Sequence, residues 1–227
     1  MNQCLFENSQ FRLGNQISGA NLIRAADESN IHLVKSLLEE KADPNYKDKF
    51  GSTALWYSAS RGNLEIVSLL ISFGANINQL DNLLGQSPLF IAVLFGHKEV
   101  VSLLISKKAD VNQANNNGET LLHASTARNQ KEITSLLLSE GVNVNQGDNN
   151  GTTPLHFAAI FNCEDIVSLF ISEGANIDQV DNDGRTPLHF AVVNDYEEIV
   201  SMLISHGTNV NLADKVHNSY LSDMING

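Results

Sequence analysis

The stretch Asp148 to Val180, DNNGTTPLHFAAIFNCEDIVSLFISEGANIDQV, decides the fold because it is one copy of a repeat. Glycine and leucine positions of this stretch recur along the chain with a period of 33 residues, with one extra residue between the first two copies. A period of this length predicts stacked structural repeats rather than a single globular core. The recurring positions are Gly51, Gly118, Gly151 and Gly184, followed in each copy by Leu55, Leu122, Leu155 and Leu188.

Two tetrads in this period carry a resemblance to a known family. Thr153-Pro154-Leu155-His156 and Thr186-Pro187-Leu188-His189 are each followed by alanine and later by a Gly-Ala-Asn-Ile-Asp segment or a near variant. This combination resembles the ankyrin repeat, and the resemblance extends over residues 18–213. It implies an all-α solenoid of about six helix-turn-helix repeats with short β-hairpin loops.

The resemblance also implies the boundaries of the repeats, which we expect to stack as one continuous solenoid. Segment 1–17, which precedes the repeats, is interpreted as an N-terminal cap or a tail. Segment 214–227 is interpreted as a truncated seventh repeat or a C-terminal cap. The third repeat contains the extra residue, so its hairpin at 81–85 should bulge. The predicted repeats are 18–47, 48–80, 81–114, 115–147, 148–180 and 181–213.

The recurring residues have local roles that do not depend on the family name. The hydroxyl of Thr153 can cap the helix that follows, and Pro154 suits the first helical turn, where no backbone N–H is needed. Glycine ends most second helices, because it accepts a positive φ. Lys41 and Lys108 occupy that position in the first and third repeats, where a residue other than glycine costs about 1 kcal/mol.

The composition bounds the class of partner. Fourteen Lys and Arg residues against 26 Asp and Glu residues give a net charge of −12 and a pI near 4.9. Such a charge disfavours binding to a phosphate backbone or to an anionic membrane. We therefore expect a monomer that binds a protein partner with a basic or apolar surface, and neither nucleic acid nor membrane.

The cysteines and the apolar runs bound the compartment. Cys4 and Cys163 are far apart and lack metal-ligand spacing, so neither a disulfide framework nor a zinc site is predicted. The first residues lack the pattern of a signal peptide, and no apolar run approaches the length of a membrane span. We expect a cytoplasmic protein without cofactors, with delivery into a host cell as an alternative.

The residues that could carry catalysis have simpler structural interpretations. His123, His156 and His189 recur at the junction of hairpin and helix, where an imidazole can bond to the backbone of the adjacent repeat. Asp148 and Asp181 recur as turn formers. No phosphate loop, nucleophile elbow or basic patch interleaved with aromatic residues is present. The sequence therefore predicts that the protein is not an enzyme.

Positions that the repeat does not need for stacking are the candidates for recognition. In ankyrin-like proteins the concave face is formed by hairpin tips and by the ends of the short first helices. Large apolar residues at such positions often mark a recognition surface. As the alternative for the third repeat, Leu94 and Phe95 would pack against the bulged hairpin. The predicted partner-binding residues are Phe50, Arg61, Leu83, Leu84, Leu94, Phe95, Arg128, Ile160, Phe161, Arg185 and Val193.

These observations favour a non-enzymatic protein–protein interaction module that binds its partner on the concave face. The alternative is a regulator or host-directed effector that recruits or occludes a catalytic partner through the same face. A further rival, an enzyme in its own right, requires a pocket with converging titratable groups, and the sequence nominates none.

Overall fold

The computed structural model describes residues 18–212. This part of the chain consists of helices joined by turns and contains no strand. The predicted terminal segments, 1–17 and 214–227, lie outside the described residues. The all-α fold predicted from the sequence is confirmed. The helices are α1 (18–27), α2 (Ile31–Glu39), α3 (Ala54–Ser60), α4 (Leu64–Ser72), α5 (Pro88–Leu94), α6 (Lys98–Ser106), α7 (Leu121–Thr126), α8 (Lys131–Ser139), α9 (Pro154–Ile160), α10 (Glu164–Ser172), α11 (Pro187–Val193) and α12 (Glu197–Ser205).

The helices fall into two compact units, with the boundary after Asp110. The first unit contains α1 to α6 and the second contains α7 to α12. Short first helices alternate with longer second helices in both units. First helices pack beside first helices, as α3 does with α5 and α9 with α11, and second helices pack beside second helices, as α4 does with α6 and α10 with α12. The division into six repeats of one solenoid stays a prediction.

The core of each unit lies between its row of first helices and its row of second helices. In the second unit Ala158 of α9 and Ala191 of α11 are fully buried, and the large side chains of Ile166 and Phe170 on α10 are buried as well. Small residues allow the short helices to approach closely, while the large side chains of the second helices fill the remaining space. Apolar burial of this kind is the main stabilising contribution in each unit.

The first helices begin at the residues that the sequence indicates. The Oγ1 of Thr153 accepts a hydrogen bond from the backbone N–H of His156 at 3.5 Å, and Pro154 is the first residue of α9. In α5 the hydroxyl of Ser87 caps the backbone N–H of Phe90 in the same way at 3.1 Å. These caps satisfy backbone donors that the helix itself leaves unpaired.

The predicted hairpins are tight turns that aspartate side chains organise. The Oδ1 of Asp148 accepts hydrogen bonds from the backbone N–H groups of Asn150 (2.8 Å) and Thr152 (2.9 Å), which confirms its role as a turn former. The N–H of Asp148 closes the turn by donating to the carbonyl of Thr152 at 2.9 Å. In the third repeat the N–H of Asp81 donates instead to Gln86, one residue further on, so the extra residue widens this turn as predicted.

Asparagine residues join neighbouring turns within each unit. The backbone N–H of Asn82 donates to the carbonyl of Phe50 at 2.7 Å, and that of Asn182 donates to Asn150 at 2.8 Å. After the second helices, the Oδ1 of Asn45 accepts from the backbone N–H of Asn76, one repeat further along the chain, at 2.6 Å. These asparagines therefore tie successive repeats together in addition to forming turns.

Backbone conformations at the helix ends match the repeat register. Lys41 and Lys108 have φ values of 68° and 67°, which confirms that non-glycine residues occupy the left-handed position there. Asn129, Asn162 and Asp195 have positive φ at the ends of first helices, as their side chains favour.

Replacing Lys108 by glycine should stabilise the protein, because glycine adopts a positive φ without the steric cost that a Cβ imposes. We expect Lys108→Gly to raise the free energy of unfolding by up to about 1 kcal/mol in a denaturant titration. Lys107→Gly is the matched control, since Lys107 has a φ of −89° and gains no relief. A denaturant midpoint that does not rise for Lys108→Gly would contradict the assigned strain.

A polar cluster replaces part of the apolar core at α7 and α8. Ser125, Thr126 and Thr134 are fully buried, whereas valine occupies the position of Thr126 in two other repeats, at Val93 and Val192. The Oγ1 of Thr134 lies 2.9 Å from the Oγ of Ser125, but the Oγ1 of Thr126 has no hydrogen-bond partner among the described residues. An unpaired buried hydroxyl destabilises the fold.

Thr126→Val should stabilise the second unit, because it removes an unpaired hydroxyl while keeping the side-chain volume. We expect the free energy of unfolding to rise by about 1 kcal/mol. Thr134→Val is the matched control and should lower it by about 1 kcal/mol, because it breaks a bond that is made. Urea titrations of both variants measure the difference, and equal effects would show that hydrogen bonding does not distinguish the two sites.

Candidate functional site

In the first unit, the predicted partner-binding residues lie on two parts of the surface. Phe50, Leu83 and Leu84 are on hairpin tips, with exposed fractions of 39%, 64% and 48%. Arg61 and Phe95 follow the last residues of α3 and α5, and both are exposed. The remaining predicted residue, Leu94, is half-buried at the end of α5.

Arg61 and Phe95 line one cleft, with a volume of about 470 Å³. We call it the α3–α5 cleft. Phe95 is 54% exposed there, so its ring is not buried beneath the widened turn. The alternative in which Leu94 and Phe95 pack against Leu83 and Leu84 stays a prediction. The other residues that line the cleft are Asp27, Trp56, Tyr57, Ser60 and His97.

A contact between neighbouring repeats shapes one wall of the cleft. The Nε2 of His97 lies 2.9 Å from the carbonyl oxygen of Ser60, and the ring of Phe95 lies beside that of His97 with centroids 6.3 Å apart. Gly62 permits this approach, because a Cβ there would lie 2.5 Å from the Nδ1 of His97. The glycine and the histidine together thus position the edge on which Phe95 lies.

Two carboxylates and one guanidinium group lie in or beside the cleft, near Tyr57. The Nε and Nη2 atoms of Arg61 donate to the same carboxylate oxygen of Asp27, Oδ1, at 2.9 Å and 2.8 Å. The hydroxyl of Tyr57 donates to the Oδ2 of Asp48 at 2.8 Å. Burial, and after it the nearby carboxylates of Asp48 and Asp27, raise the pKa of Tyr57 to about 12. The phenol therefore stays neutral at physiological pH, in a negative local potential.

Trp56 occupies the position that histidine has in the fourth, fifth and sixth repeats, so the hydrogen bonds of that histidine are not made in the second repeat. Its indole Nε1 is buried and has no hydrogen-bond partner among the described residues. Its ring packs edge-on against Tyr57, with centroids 5.1 Å apart and an interplanar angle of 74°. The two rings therefore form nearly perpendicular walls beside the cleft.

In the second unit, the predicted residues lie at the ends of first helices. Phe161 is 49% exposed, with its ring edge-on to Phe157 at 5.7 Å. Val193 is 78% exposed at the end of α11, Ile160 is half-buried at the end of α9, and Arg128 is exposed after α7.

Arg185, also predicted to contact a partner, is engaged within its own hairpin. Its Nη2 lies 2.8 Å from a carboxylate oxygen of Asp181 and 2.9 Å from one of Asp183. Its guanidinium also lies over the ring of Phe190, 4.8 Å from the centroid. The arginine therefore braces the hairpin, and its place in a partner contact stays a prediction.

Sequence reasoning named Arg61 and Phe95 but missed the other side chains of the α3–α5 cleft. One signal was present, since Trp56 is the only tryptophan and stands where later repeats have histidine. Asp27 and Arg61 are 34 residues apart, close to one repeat, so a cross-repeat ion pair could also have been proposed. No sequence pattern indicated that His97 would reach the carbonyl oxygen of Ser60 in the preceding repeat.

The recurring histidines are structural, as predicted. The Nδ1 of His123 accepts a hydrogen bond from the backbone N–H of Thr120 at 3.1 Å, and its Nε2 lies 2.8 Å from the carbonyl oxygen of Thr152 in the next hairpin. His156 makes the same pair of bonds, to Thr153 at 3.1 Å and to the carbonyl of Arg185 at 2.9 Å. Because a backbone N–H can only donate, Nδ1 carries no proton and Nε2 donates to the carbonyl.

Cys163 is packed rather than reactive. Its side chain is buried, and its Sγ lies 3.4 Å from the carbonyl oxygen of Thr126. Burial raises the pKa of the thiol, which disfavours the thiolate that a nucleophile requires. The position corresponds to that of His97, whose imidazole likewise contacts a backbone carbonyl at the end of the preceding first helix, that of Ser60.

Stability should fall as the pH drops below about 6.5, because burial lowers the pKa of His123 and of His156 from that ordinary value. In that range the unfolded chain binds protons that the folded chain does not, so the free energy of unfolding decreases with decreasing pH. Urea titrations between pH 5.5 and 8 measure the slope. A double variant, His123→Gln with His156→Gln, should be less stable at pH 8 and show a shallower slope. An unchanged slope would contradict the assignment.

Among the described residues we find neither a membrane-spanning helix nor a metal site. Within residues 18–212, no helix is long and apolar enough to cross a membrane. In the same part of the chain, no cluster of His, Cys, Asp and Glu side chains is arranged to hold a metal ion.

Known proteins match several segments of the chain. A putative ankyrin repeat protein, R664, of Acanthamoeba polyphaga mimivirus is 41% identical over 27% of this chain and 38% of its own length. A putative ankyrin repeat protein of Rickettsia bellii is 34% identical over 29% of this chain and 42% of its own length. The probable E3 ubiquitin-protein ligase XBOS33 of Oryza sativa is 35% identical over 30% of this chain and 13% of its own length. The chain thus matches less than half of the length of each of these relatives.

The family comparison covers far more of the chain. The model described as ankyrin repeats in three copies matches residues 22–115, 109–181 and 148–214. These ranges include all but the first few of the described residues, and the turns, caps and paired helices above follow the same period. The chain belongs to the ankyrin repeat family, whose repeats are generally non-catalytic modules for protein–protein interaction.

Proposed function

We propose that the protein binds a protein partner through the surface formed by its hairpin tips and first-helix ends, the concave face of an ankyrin solenoid. The observation that carries this proposal is the exposure of Phe95 and Phe161, each at the residue that follows a first helix. Stacking does not require an aromatic ring at either place. Exposed aromatic residues on a rigid scaffold are typical anchors of protein interfaces.

Other exposed apolar residues at hairpin tips and first-helix ends support the proposal in each unit. Leu83 and Leu84 are exposed on the widened turn of the first unit, and Val193 is the most exposed large apolar side chain among the described residues of the second. Their apolar side chains favour a partner with an apolar patch, while the net charge of −12 favours a partner with basic groups around it. We take the binding species to be a monomer in the cytoplasm.

The alternative is a regulator or effector that recruits or occludes a catalytic partner through the same surface. One relative that matches part of this chain is a probable E3 ubiquitin-protein ligase, in which the match covers 13% of the length. A repeat module in such a setting would bring another protein to a catalytic domain. Measuring the catalytic rate of an identified partner with and without this protein separates recruitment or occlusion from simple binding.

Truncating the two exposed rings should weaken binding without unfolding the protein. We expect Phe95→Ala and Phe161→Ala each to cost about 1 to 3 kcal/mol of binding free energy, as hot-spot aromatic residues do. Their melting temperatures should stay close to that of the wild type, because both rings are about half exposed. The partner is first isolated with the wild-type chain as bait, and each variant is then titrated against it by calorimetry.

Two further phenylalanines are the controls for this experiment. Phe73 ends a second helix with 42% exposure, so Phe73→Ala matches the test variants in residue type and exposure on a different surface and should keep full affinity. Phe170 is fully buried, and Phe170→Ala should lose about 3 to 5 kcal/mol of stability. Unchanged affinity for both test variants, or a stability loss as large as that of Phe170→Ala, would contradict the proposal.

A further inference from the structure

The α3–α5 cleft combines aromatic rings with a carboxylate. Trp56, Tyr57 and Phe95 line it, and the first two rings are nearly perpendicular to each other. Within residues 18–212, cations lie over the rings of Phe50 and Phe190, and none lies over the three rings of this cleft. Aromatic rings arranged around a cleft attract a cation through the negative charge on their faces.

The carboxylate of Asp27 adds to this attraction. Both hydrogen bonds from Arg61 go to Oδ1, so Oδ2 can accept a further donor. Asp27 and Arg61 neutralise each other, and the carboxylate of Asp48, bonded to the hydroxyl of Tyr57, leaves the surroundings of the cleft with a negative balance. The net charge of −12 extends the same preference to the whole chain.

We propose that the α3–α5 cleft binds a lysine or arginine side chain of the protein partner. The cationic group lies against the rings of Trp56, Tyr57 and Phe95 and donates a hydrogen bond to the Oδ2 of Asp27. The methylene groups of the same side chain pack on the exposed part of Phe95. This inference rests on the proposed function and specifies which chemical group of the partner the first unit recognises.

Two other kinds of partner side chain fit the cleft less well. An acidic side chain could pair with Arg61, but it would face the carboxylates of Asp27 and Asp48 and the negative charge of the chain. A purely apolar side chain could contact the rings, but it would gain no interaction with the carboxylate of Asp27. A basic side chain with an aliphatic stem satisfies the rings and the carboxylate together.

The only tryptophan of the chain lines this cleft, so its fluorescence reports on the cleft directly. The full chain is titrated with four capped tripeptides that have glycine on both sides of lysine, arginine, norleucine or glutamate. Norleucine matches the lysine stem without its charge. We expect lysine and arginine peptides to change the fluorescence saturably in the millimolar range, with affinity that falls as salt is added. The norleucine and glutamate peptides should give no saturable change.

Variants test which groups of the cleft bind the lysine or arginine side chain. Phe95→Ala and Asp27→Asn should each weaken binding of the lysine peptide by about twofold to thirtyfold. Arg61→Gln should leave this affinity unchanged or increase it, because it removes a competing cation. Phe73→Ala, at a ring of similar exposure outside the cleft, is the matched control and should bind the peptide like the wild type. Melting temperatures confirm that each variant is folded.

Each contrary result overturns the inference in a recognisable way. Equal binding of the norleucine peptide would show an apolar site, and binding of the glutamate peptide that Arg61→Gln abolishes would show an anion site. No saturable change with any peptide would also reject it. None of these results touches the proposed function, which depends on titrations of Phe95→Ala and Phe161→Ala against the partner itself.

Discussion

In the second unit, the hydrogen bond from a histidine Nε2 to the backbone carbonyl of the next hairpin is the constraint on which the repeat geometry depends. His123 and His156 each reach a carbonyl 29 residues further along the chain, while their Nδ1 atoms hold the start of their own helix. One side chain thus fixes where a helix begins and how far away the next repeat lies. Because both imidazoles are buried, leaving either bond unmade would cost the full desolvation of a polar group.

This constraint is absent at the second and third repeats, which have Trp56 and Phe90 at the position of the histidine. Trp56 replaces the histidine, and its indole N–H is buried without a partner. Other bonds hold that region together, among them His97 to the carbonyl of Ser60 and Asn82 to the carbonyl of Phe50. The departure places a large aromatic ring beside Tyr57 and next to a cleft. Departures from local consistency are often found at functional sites, where stability is exchanged for recognition.

The two units distribute their polar groups differently. In the first unit, the notable polar and aromatic side chains surround a cleft that is open to solvent. In the second, Ser125, Thr126 and Thr134 are buried in the core, where a partner cannot reach them and where only the hydroxyl of Thr126 has no hydrogen-bond partner among the described residues. The same repeat frame therefore tolerates substitutions on its surface and in its interior, with different consequences. Surface departures change the groups that a partner can reach, whereas interior departures change the packing and hydrogen bonding of the core.

The sequence alone determined the period, the helical class, the caps and turn formers, and the positive φ of Lys41 and Lys108. Those features follow from local chemistry, since a proline, a threonine or an aspartate acts on backbone only a few residues away. The sequence also identified Phe95 and Phe161 as positions that stacking does not use. Both are exposed in the structure, although their contact with a partner remains a proposal.

Only the tertiary structure decided which side chains surround Phe95 and what Arg185 does. Asp27, Trp56 and His97 come from different repeats, and the distance between them depends on how the helices pack and on a glycine that lets His97 approach. Arg185 contacts two carboxylates and an aromatic ring of its own repeat, and its predicted contact with a partner stays a prediction. Repeat spacing predicts that two positions are neighbours. The direction of a long side chain depends on the competing partners within its reach, which only the packed structure specifies.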